Sequence, residues 1–410
     1  MRLLLKINKG DIVNLIVSLP LFTFPFTSAI IAFFKLNSTL VNFLLRLLVV
    51  SLVLILIFTK KKNVYPRLNK LQLLIVLFLT IYTIRIVFDV VVMGVSPESG
   101  SIFSIFSVYF GNIILPVFIL LLYKNTLQII KPKIIFYFLF LSCLGVAFLV
   151  FSKGGFAEAF LFRNALISEN SGEEVAILNP ITISLHGELL AILSALLLTE
   201  SNREKKYLKW VYFFGLILGI IVLFLGASRG PIVGFVFCCM LIYFLKLKDS
   251  KKKFQYILLT IGTVFSLIFI LQKSFDLDSF VFLQREYSFA SDEVRSELYS
   301  WLLADFLKSP IIGNQFVLSQ NGWYPHNIYM ESFMALGIVG GLIFTATIIT
   351  ALYKSILIFT NGVKQYYYLA FFLIMYIIMG ITSSSLYGNY YFWIWIMYFS
   401  SFSLKREPNK

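Results

Sequence analysis

Apolar runs of roughly 18 to 25 residues recur along the chain, each long enough to cross about 30 Å of hydrocarbon at 1.5 Å per residue. Counted in order they predict about twelve spans. The first six lie at about 12–34, 38–59, 71–92, 104–123, 134–151 and 178–199. A seventh ends near Gly226, and an eighth starts almost at once after Ser228-Arg229-Gly230 and runs to about Leu245. The ninth ends near residue 271, and the last three cover about 328–353, 365–382 and 388–403. The alternating ten-residue pattern of a β-barrel is absent. The expected fold is an all-α polytopic membrane protein, a single integral membrane domain over residues 1–410.

Two polar intervals interrupt this pattern, at 152–177 and 272–327, and both are expected as loops on one face. The larger, between spans 9 and 10, holds Asp276, Asp278, Glu286, Asp292, Glu293, Glu297 and Asp305 together with Arg285 and Arg295. Within it Ser291-Asp292-Glu293 has the form of a helix start, a capping side chain followed by acids in the first turn. Val294, Leu298, Leu302 and Phe306 then recur every fourth residue, predicting an amphipathic helix laid on the bundle or on the membrane surface. Arg295 lies beside that stripe, where a salt bridge to Asp292 is the plain structural alternative to a ligand contact. Lys308-Ser309-Pro310 ends the helix and Gly313 permits the turn after it.

Composition agrees: 59% apolar and 13% charged residues exclude a soluble globular domain. A net charge of +15 would suit nucleic acid, but the lysines and arginines sit in short clusters between spans. Threaded through twelve spans, those clusters share the cytoplasmic face with both termini, and the two polar loops face outward. No nucleic-acid partner is expected. Cys143, Cys238 and Cys239 have no metal-ligand spacing, the two histidines stand far apart, and no phosphate-cradling glycine loop occurs, so neither metal nor cofactor is expected.

A few polar residues need a reason. Arg46, Arg85 and Asp89 fall inside spans, and Arg85 and Asp89 are four apart on one helix face, which suits a neutralising pair. Arg46 is open to an interhelical pair or a lipid phosphate. In Leu225-Gly226-Ala227-Ser228-Arg229-Gly230-Pro231, small residues let two helix ends approach and Pro231 suits a first turn. Arg229 at that helix start is placed either to grip a phosphate bidentately or to snorkel to headgroups. Pro325-His326-Asn327 enters span 10 directly. His326 is a candidate proton acceptor for a sugar hydroxyl, Asn327 a candidate cap, and Glu331 a candidate to orient the imidazole. His186, with Glu188 nearby on another face, has no assigned role.

Three strings, LFLGASRGPIVGFVF, VRSELYSWLLADFLKSPIIGN and PHNIYMESFMALGIVGGLIF, together resemble the O-antigen ligase and polymerase superfamily of bacterial envelope glycan enzymes. The resemblance is strongest over about residues 205–385. It implies a fold like the C-type glycosyltransferases and a metal-independent transfer from a polyprenyl-diphosphate-linked glycan, at the outer face of the bacterial inner membrane. By the same resemblance Arg229 and Arg295 hold and neutralise the diphosphate, His326 stands beside the acceptor hydroxyl, and Arg163 joins them by location alone. Asn179-Pro180 resembles the Asn-Pro that enters the sixth span in this family, without its usual next residues. The form PIIGN…PHNIYMESFMALGIVGG is closer to polymerases, including those for O-antigen, capsule or exopolysaccharide, with lipid-linked repeat units as donor and acceptor. A ligase delivering glycan to lipid A-core is the first alternative, and a flippase or exporter of lipid-linked glycan the second. Chain-length regulator and flippase proteins are the implied partners.

Overall fold

The computed structural model describes residues 9–34, 36–58, 67–97, 102–127, 129–161, 166–168, 175–200, 205–246 and 289–402. Among them, seven helices are long and apolar enough to cross a membrane: Lys70–Val92, Ile105–Leu122, Pro132–Ser152, Pro180–Thr199, Lys206–Gly226, Ile328–Thr360 and Lys364–Thr382. The chain is a membrane protein built almost wholly of helices. Contacts divide it into two compact units, one of residues 1–21, 42–130 and 292–410, the other of residues 22–41 and 131–291.

The first unit opens with α1 (Lys9–Ser18), and most of α3 (Ser38–Phe58) belongs to it. Helix α4 (Lys70–Val87) runs on through a wide π turn at Phe88–Val92. Its start is a capping box: Asn69 accepts the Gln72 N–H, while the Gln72 side chain reaches back to the Asn69 N–H. The fourth expected span consists of α5 (Ile102–Val108), a π segment at Tyr109–Ile114 and α6 (Leu115–Leu122). After the second unit the chain returns as α11 (Phe289–Lys308), α12 (Ile328–Thr360), α13 (Tyr367–Thr382) and α14 (Tyr390–Ser400). An aromatic core joins α4, α12 and α14: the Phe78 ring lies 5.0 Å from Phe344 and 5.4 Å from Trp393.

The second unit contains α2 (Phe24–Phe34), α7 (Pro132–Leu161), α8 (Pro180–Glu200), α9 (Lys206–Gly226) and α10 (Arg229–Lys246). Helices α8 and α9 pack backbone to backbone. A Cβ placed on Gly219 would lie 2.6 Å from the Ala191 nitrogen, and one on Gly187 would strike the backbone of Leu223, so only glycine fits at either place. The Phe136 ring of α7 meets Tyr212 of α9 edge-on at 5.1 Å.

Several expectations change. The polar interval 152–177 is not simply a loop: α7 continues through it to Leu161, and a short antiparallel hairpin follows, β1 (Leu166–Ser168) with β2 (Val175–Leu178). Ala157, Glu158, Ala159 and Leu161 are good helix formers, and they carry the helix past its apolar end. The twelfth expected span is only an 11-residue helix, α14, too short to cross alone, because the chain before it turns at Ser383–Gly388 and Asn389 caps the helix. The first expected span is two helices, α1 and α2, separated by a π segment at Leu19–Thr23 that contains Pro20. The expected ninth span, the interval 272–288 and Arg163 lie outside the described residues.

Candidate active site

The segment from Ser309 to Asn327 has no regular secondary structure, yet almost every part of it is tied down. Its first part is threaded into a break in α12. Gly337 leaves the helical conformation at φ 63° and ψ −164°, and Gly313 opposite has φ 81°. A Cβ on either glycine would collide with the other strand's backbone, Gly313 with Ala335 and Gly337 with Ile311. The hydrogen bonds lost at the break are remade by the loop. The Asn314 N–H donates to the Met334 carbonyl at 2.9 Å, and the Ile338 N–H donates to the Pro310 carbonyl at 2.8 Å.

The intramembrane pair Arg85–Asp89 is present, at 3.2 Å, but pairing is the smaller part of what it does. The Arg85 guanidinium also donates to the carbonyls of Ile312 (2.9 Å), Gly313 (2.8 Å) and Asn314 (2.9 Å). Asp89, 1% exposed, accepts the Phe316 N–H at 2.8 Å. A second buried carboxylate, Asp305 on α11, accepts from the Ser319 N–H (2.8 Å), the Ser319 hydroxyl (2.5 Å), the Asn314 amide (3.3 Å) and the Lys308 ammonium (2.7 Å). The amphipathic helix α11 begins at Phe289, two residues before the expected Ser291. Its Leu298 and Leu302 are buried against Leu318 and Met334, so it rests on the loop and on α12.

The loop delivers Pro325-His326-Asn327 to the start of α12. Asn327 is the cap expected: its side-chain oxygen accepts the N–H groups of Tyr329 (3.0 Å) and Met330 (3.1 Å). His326 adopts a left-handed backbone at φ 57°, uncommon for any residue but glycine and costing on the order of 1 kcal/mol or more. Its ring stacks obliquely on Tyr324 at 4.3 Å between centroids, and Tyr324 meets Tyr387 edge-on at 6.1 Å. Burial, and then the nearby Glu331 carboxylate, push the Tyr324 hydroxyl above its ordinary pKa, so it stays a neutral phenol beside the imidazole.

Glu331 is fully buried, and its described hydrogen bonds go elsewhere than to the imidazole it is expected to orient. One oxygen accepts the Tyr82 hydroxyl of α4 at 2.8 Å and the other accepts the Leu386 N–H at 2.9 Å. One helical turn into α12, the side chain is drawn toward α4 and the turn before α14, where two buried donors need an acceptor. Tyr82, Asp305 and the Gly313–Gly337 crossing were not foreseen. The glycines of the ALGIVGG string were the one available signal.

In the second unit, Arg229 opens α10. The α9 helix ends on Ala227 in a left-handed conformation (φ 43°), and the Ser228 N–H donates to the Ser184 hydroxyl at 3.2 Å. A Cβ on Gly226 would collide with the Pro180 carbonyl and the Ser184 hydroxyl, which is why the small residues Gly-Ala-Ser precede Arg229. Asn179 caps α8 beside this turn, accepting the Thr182 N–H at 2.8 Å. The starts of α8 and α10 therefore share one end of this unit, both presenting the positive ends of their dipoles, with Arg229 partly exposed between them. Arg295 lies on α11, one turn before Leu298, with its side chain outside the described residues, as is that of Arg46. His186 is buried, its Nδ1 2.8 Å from the Thr182 carbonyl. Among the described residues no group of three or more His, Cys, Asp or Glu side chains is placed to hold a metal ion.

A family model described as O-antigen ligase matches residues 214–345, about a third of the chain, from within α9 to within α12. The matched stretch includes Arg229, Arg295, His326, Asn327 and Glu331, and leaves out Arg163. No curated protein and no solved structure matches the chain.

Proposed function

From the O-antigen ligase family domain at residues 214–345, which supports membership of the O-antigen ligase and polymerase superfamily, we propose that this membrane protein is a glycan polymerase. It transfers a growing glycan from polyprenyl diphosphate onto the next lipid-linked repeat unit of an O-antigen, capsule or exopolysaccharide. The match supports glycan transfer of this type, because one continuous stretch takes in both arginines and the histidine, and the choice of polymerase rests on the form PIIGN…PHNIYMESFMALGIVGG.

In the reaction the acceptor hydroxyl oxygen attacks the anomeric carbon of the donor glycan. The bond from that carbon to the diphosphate oxygen breaks and the diphosphate leaves with the electron pair. Arg229 and Arg295 hold the diphosphate and neutralise the charge that grows on it, with Arg163 as a further contact. His326 takes the hydroxyl proton, and Asn327 fixes the backbone that presents it. Glu331 acts at a distance from the chemistry, through Tyr82 and the Leu386 N–H. No metal takes part. The protein sits in the bacterial inner membrane with both termini cytoplasmic and the site on the outer face, beside flippase and chain-length regulator partners.

The ligase reading is favoured by the description of the matching family, O-antigen ligase. One experiment separates the two. Purified protein given only lipid-diphosphate repeat units is expected to make a ladder of longer lipid-linked glycans, with chelator present. A product formed only when lipid A-core is added identifies a ligase, and movement of glycan across a vesicle without a new glycosidic bond identifies a flippase. Loss of the ladder in His326→Ala, with folding retained, is expected. An intact ladder would remove that residue from the mechanism.

A further inference from the structure

The far end of α4 from Arg85 and Asp89 carries a second concentration of charge. Eighteen residues of helix put the two ends about 27 Å apart. At this far end the first unit holds a cavity of about 470 Å³ lined by Asn69, Lys70, Lys124, Asn125, Thr350, Lys354, Ser401 and two apolar residues, Leu71 and Phe402. Three of the lining side chains are lysines and none is an acid.

The three ammonium groups are placed differently. Lys354, inside the α12 span, is held on the carbonyls that end α14, those of Phe399 (2.7 Å), Ser400 (3.2 Å) and Phe402 (2.6 Å), with its charge 4.8 Å above the Phe399 ring. Lys124 donates to the Arg67 carbonyl and to the Gln72 side chain (3.3 Å). Lys70 is exposed at the first helical position of α4. Carbonyl oxygens satisfy ammonium hydrogens but supply no compensating charge, and among the described residues no carboxylate pairs with any of the three. The Asn125 amide adds a neutral donor suited to phosphate oxygens, while the Thr350 and Ser401 hydroxyls, which also line the space, donate to the carbonyls of Ala346 (2.7 Å) and Met397 (3.0 Å). Asn69, Lys70 and Leu71, which line the space, begin α4, so the positive end of its dipole lies at the cavity. Three lysines at the end of a span, a cavity of headgroup size, an amide donor and two apolar lining residues form a coherent set.

We propose that this basic cavity binds a phosphate-bearing anion, with Lys70 and Lys124 as the direct contacts and Lys354 seated behind them on the carbonyls that end α14. The site lies in unit 1 at the end of α4 remote from His326's loop, and it stands whether or not the transfer reaction proves to be polymerisation. Two sources offer the same chemistry, the headgroup of an anionic phospholipid and a free phosphate.

Full-length protein, purified and reconstituted with phosphatidylglycerol or with phosphatidylcholine, is examined by native mass spectrometry for retained lipid, and its thermal midpoint is read with and without inorganic phosphate. Preferential retention of phosphatidylglycerol is expected, falling roughly five-fold for each lysine removed in Lys70→Ala and Lys124→Ala. Retention of phosphatidylglycerol without any response to phosphate identifies the lipid as the source; a midpoint raised by phosphate alone identifies the free anion. Lys124 also touches the backbone, so Lys70→Glu, altering an exposed side chain, serves as the second variant and is expected to abolish the preference. Retention and phosphate response equal to wild type in both Lys70→Glu and the Lys70→Ala/Lys124→Ala double variant would overturn the site.

Discussion

The two ends of α4 meet the same difficulty, charge at or inside an apolar span, and resolve it in opposite ways. At the C-terminal end Arg85 and Asp89 pair with each other and also bond the backbone of residues 312–316. Opposite charges, carbonyls and an N–H close on one another there, and little is left over for a ligand. At the N-terminal end Lys124 and Lys354 are held mainly on carbonyls and Lys70 is exposed, and among the described residues no carboxylate pairs with them. A closed network specifies one conformation of the chain around it. An end with surplus charge specifies a ligand. The first suits the loop that must hold His326 still, and the second suits something that comes and goes.

The sharpest break of this contrast is Asp89→Ala. It removes the acceptor of the Phe316 N–H and leaves the partly buried Arg85 beside three carbonyls without the Asp89 charge. Breaking a buried pair in this way costs about 3–5 kcal/mol, so the thermal midpoint of the purified protein is expected to fall by many degrees and transfer to be lost with it. Arg85→Lys keeps the charge but loses the planar fork, and a smaller fall is expected. A midpoint within a degree of wild type for Asp89→Ala would mean that the loop is held without this pair.

That pair also shows what the chain discloses and what it hides. Spacing of four along one apolar run was enough to foresee that Arg85 meets Asp89. Nothing local could say that both reach a segment more than 220 residues away, since that contact depends on how α4 packs against the loop. Apolar periodicity foresaw the long helices and the stripe of α11, because burial dictates both. It failed where helix propensity or backbone geometry decides: α7 runs on past its apolar end, the hairpin 166–178 goes unseen, and α14 stops short of a full span. Gly313 was legible as a turn, but its need for Gly337 was not, because the constraint is two backbones crossing. The chemical residues were legible mainly through resemblance. Asn327 was readable as a cap from its place before an apolar helix, whereas the bonds of Glu331 to α4 and to the turn at Leu386 were not, because both partners come from distant segments.

Glu331 and Tyr82 sharpen the contrast at intermediate size. Both are fully buried, and their bond joins α4 to α12 near the closed end. Tyr82→Phe removes one donor and Glu331→Gln replaces one acceptor by an amide. A double-mutant cycle on thermal or denaturant stability is expected to return a coupling of about 1–3 kcal/mol. Additive effects would show that the two side chains are buried side by side without depending on each other.

The smallest effect belongs to Asn327, and it separates architecture from chemistry. Its side-chain oxygen caps α12 through the Tyr329 and Met330 N–H groups, so Asn327→Ala is expected to lose about 1 kcal/mol. Transfer is expected to fall further than that loss of stability implies, because the cap also fixes the chain next to the left-handed His326. Asn327→Asp is the discriminating variant. An aspartate accepts the same two N–H bonds and ranks with asparagine as a cap, so stability should return close to wild type. If transfer returns with it, the residue acts by holding the backbone. If the aspartate protein is stable but inactive, the amide NH₂, which aspartate lacks, is what the acceptor glycan requires, and Asn327 moves from the closed architecture of this end into direct contact with the sugar.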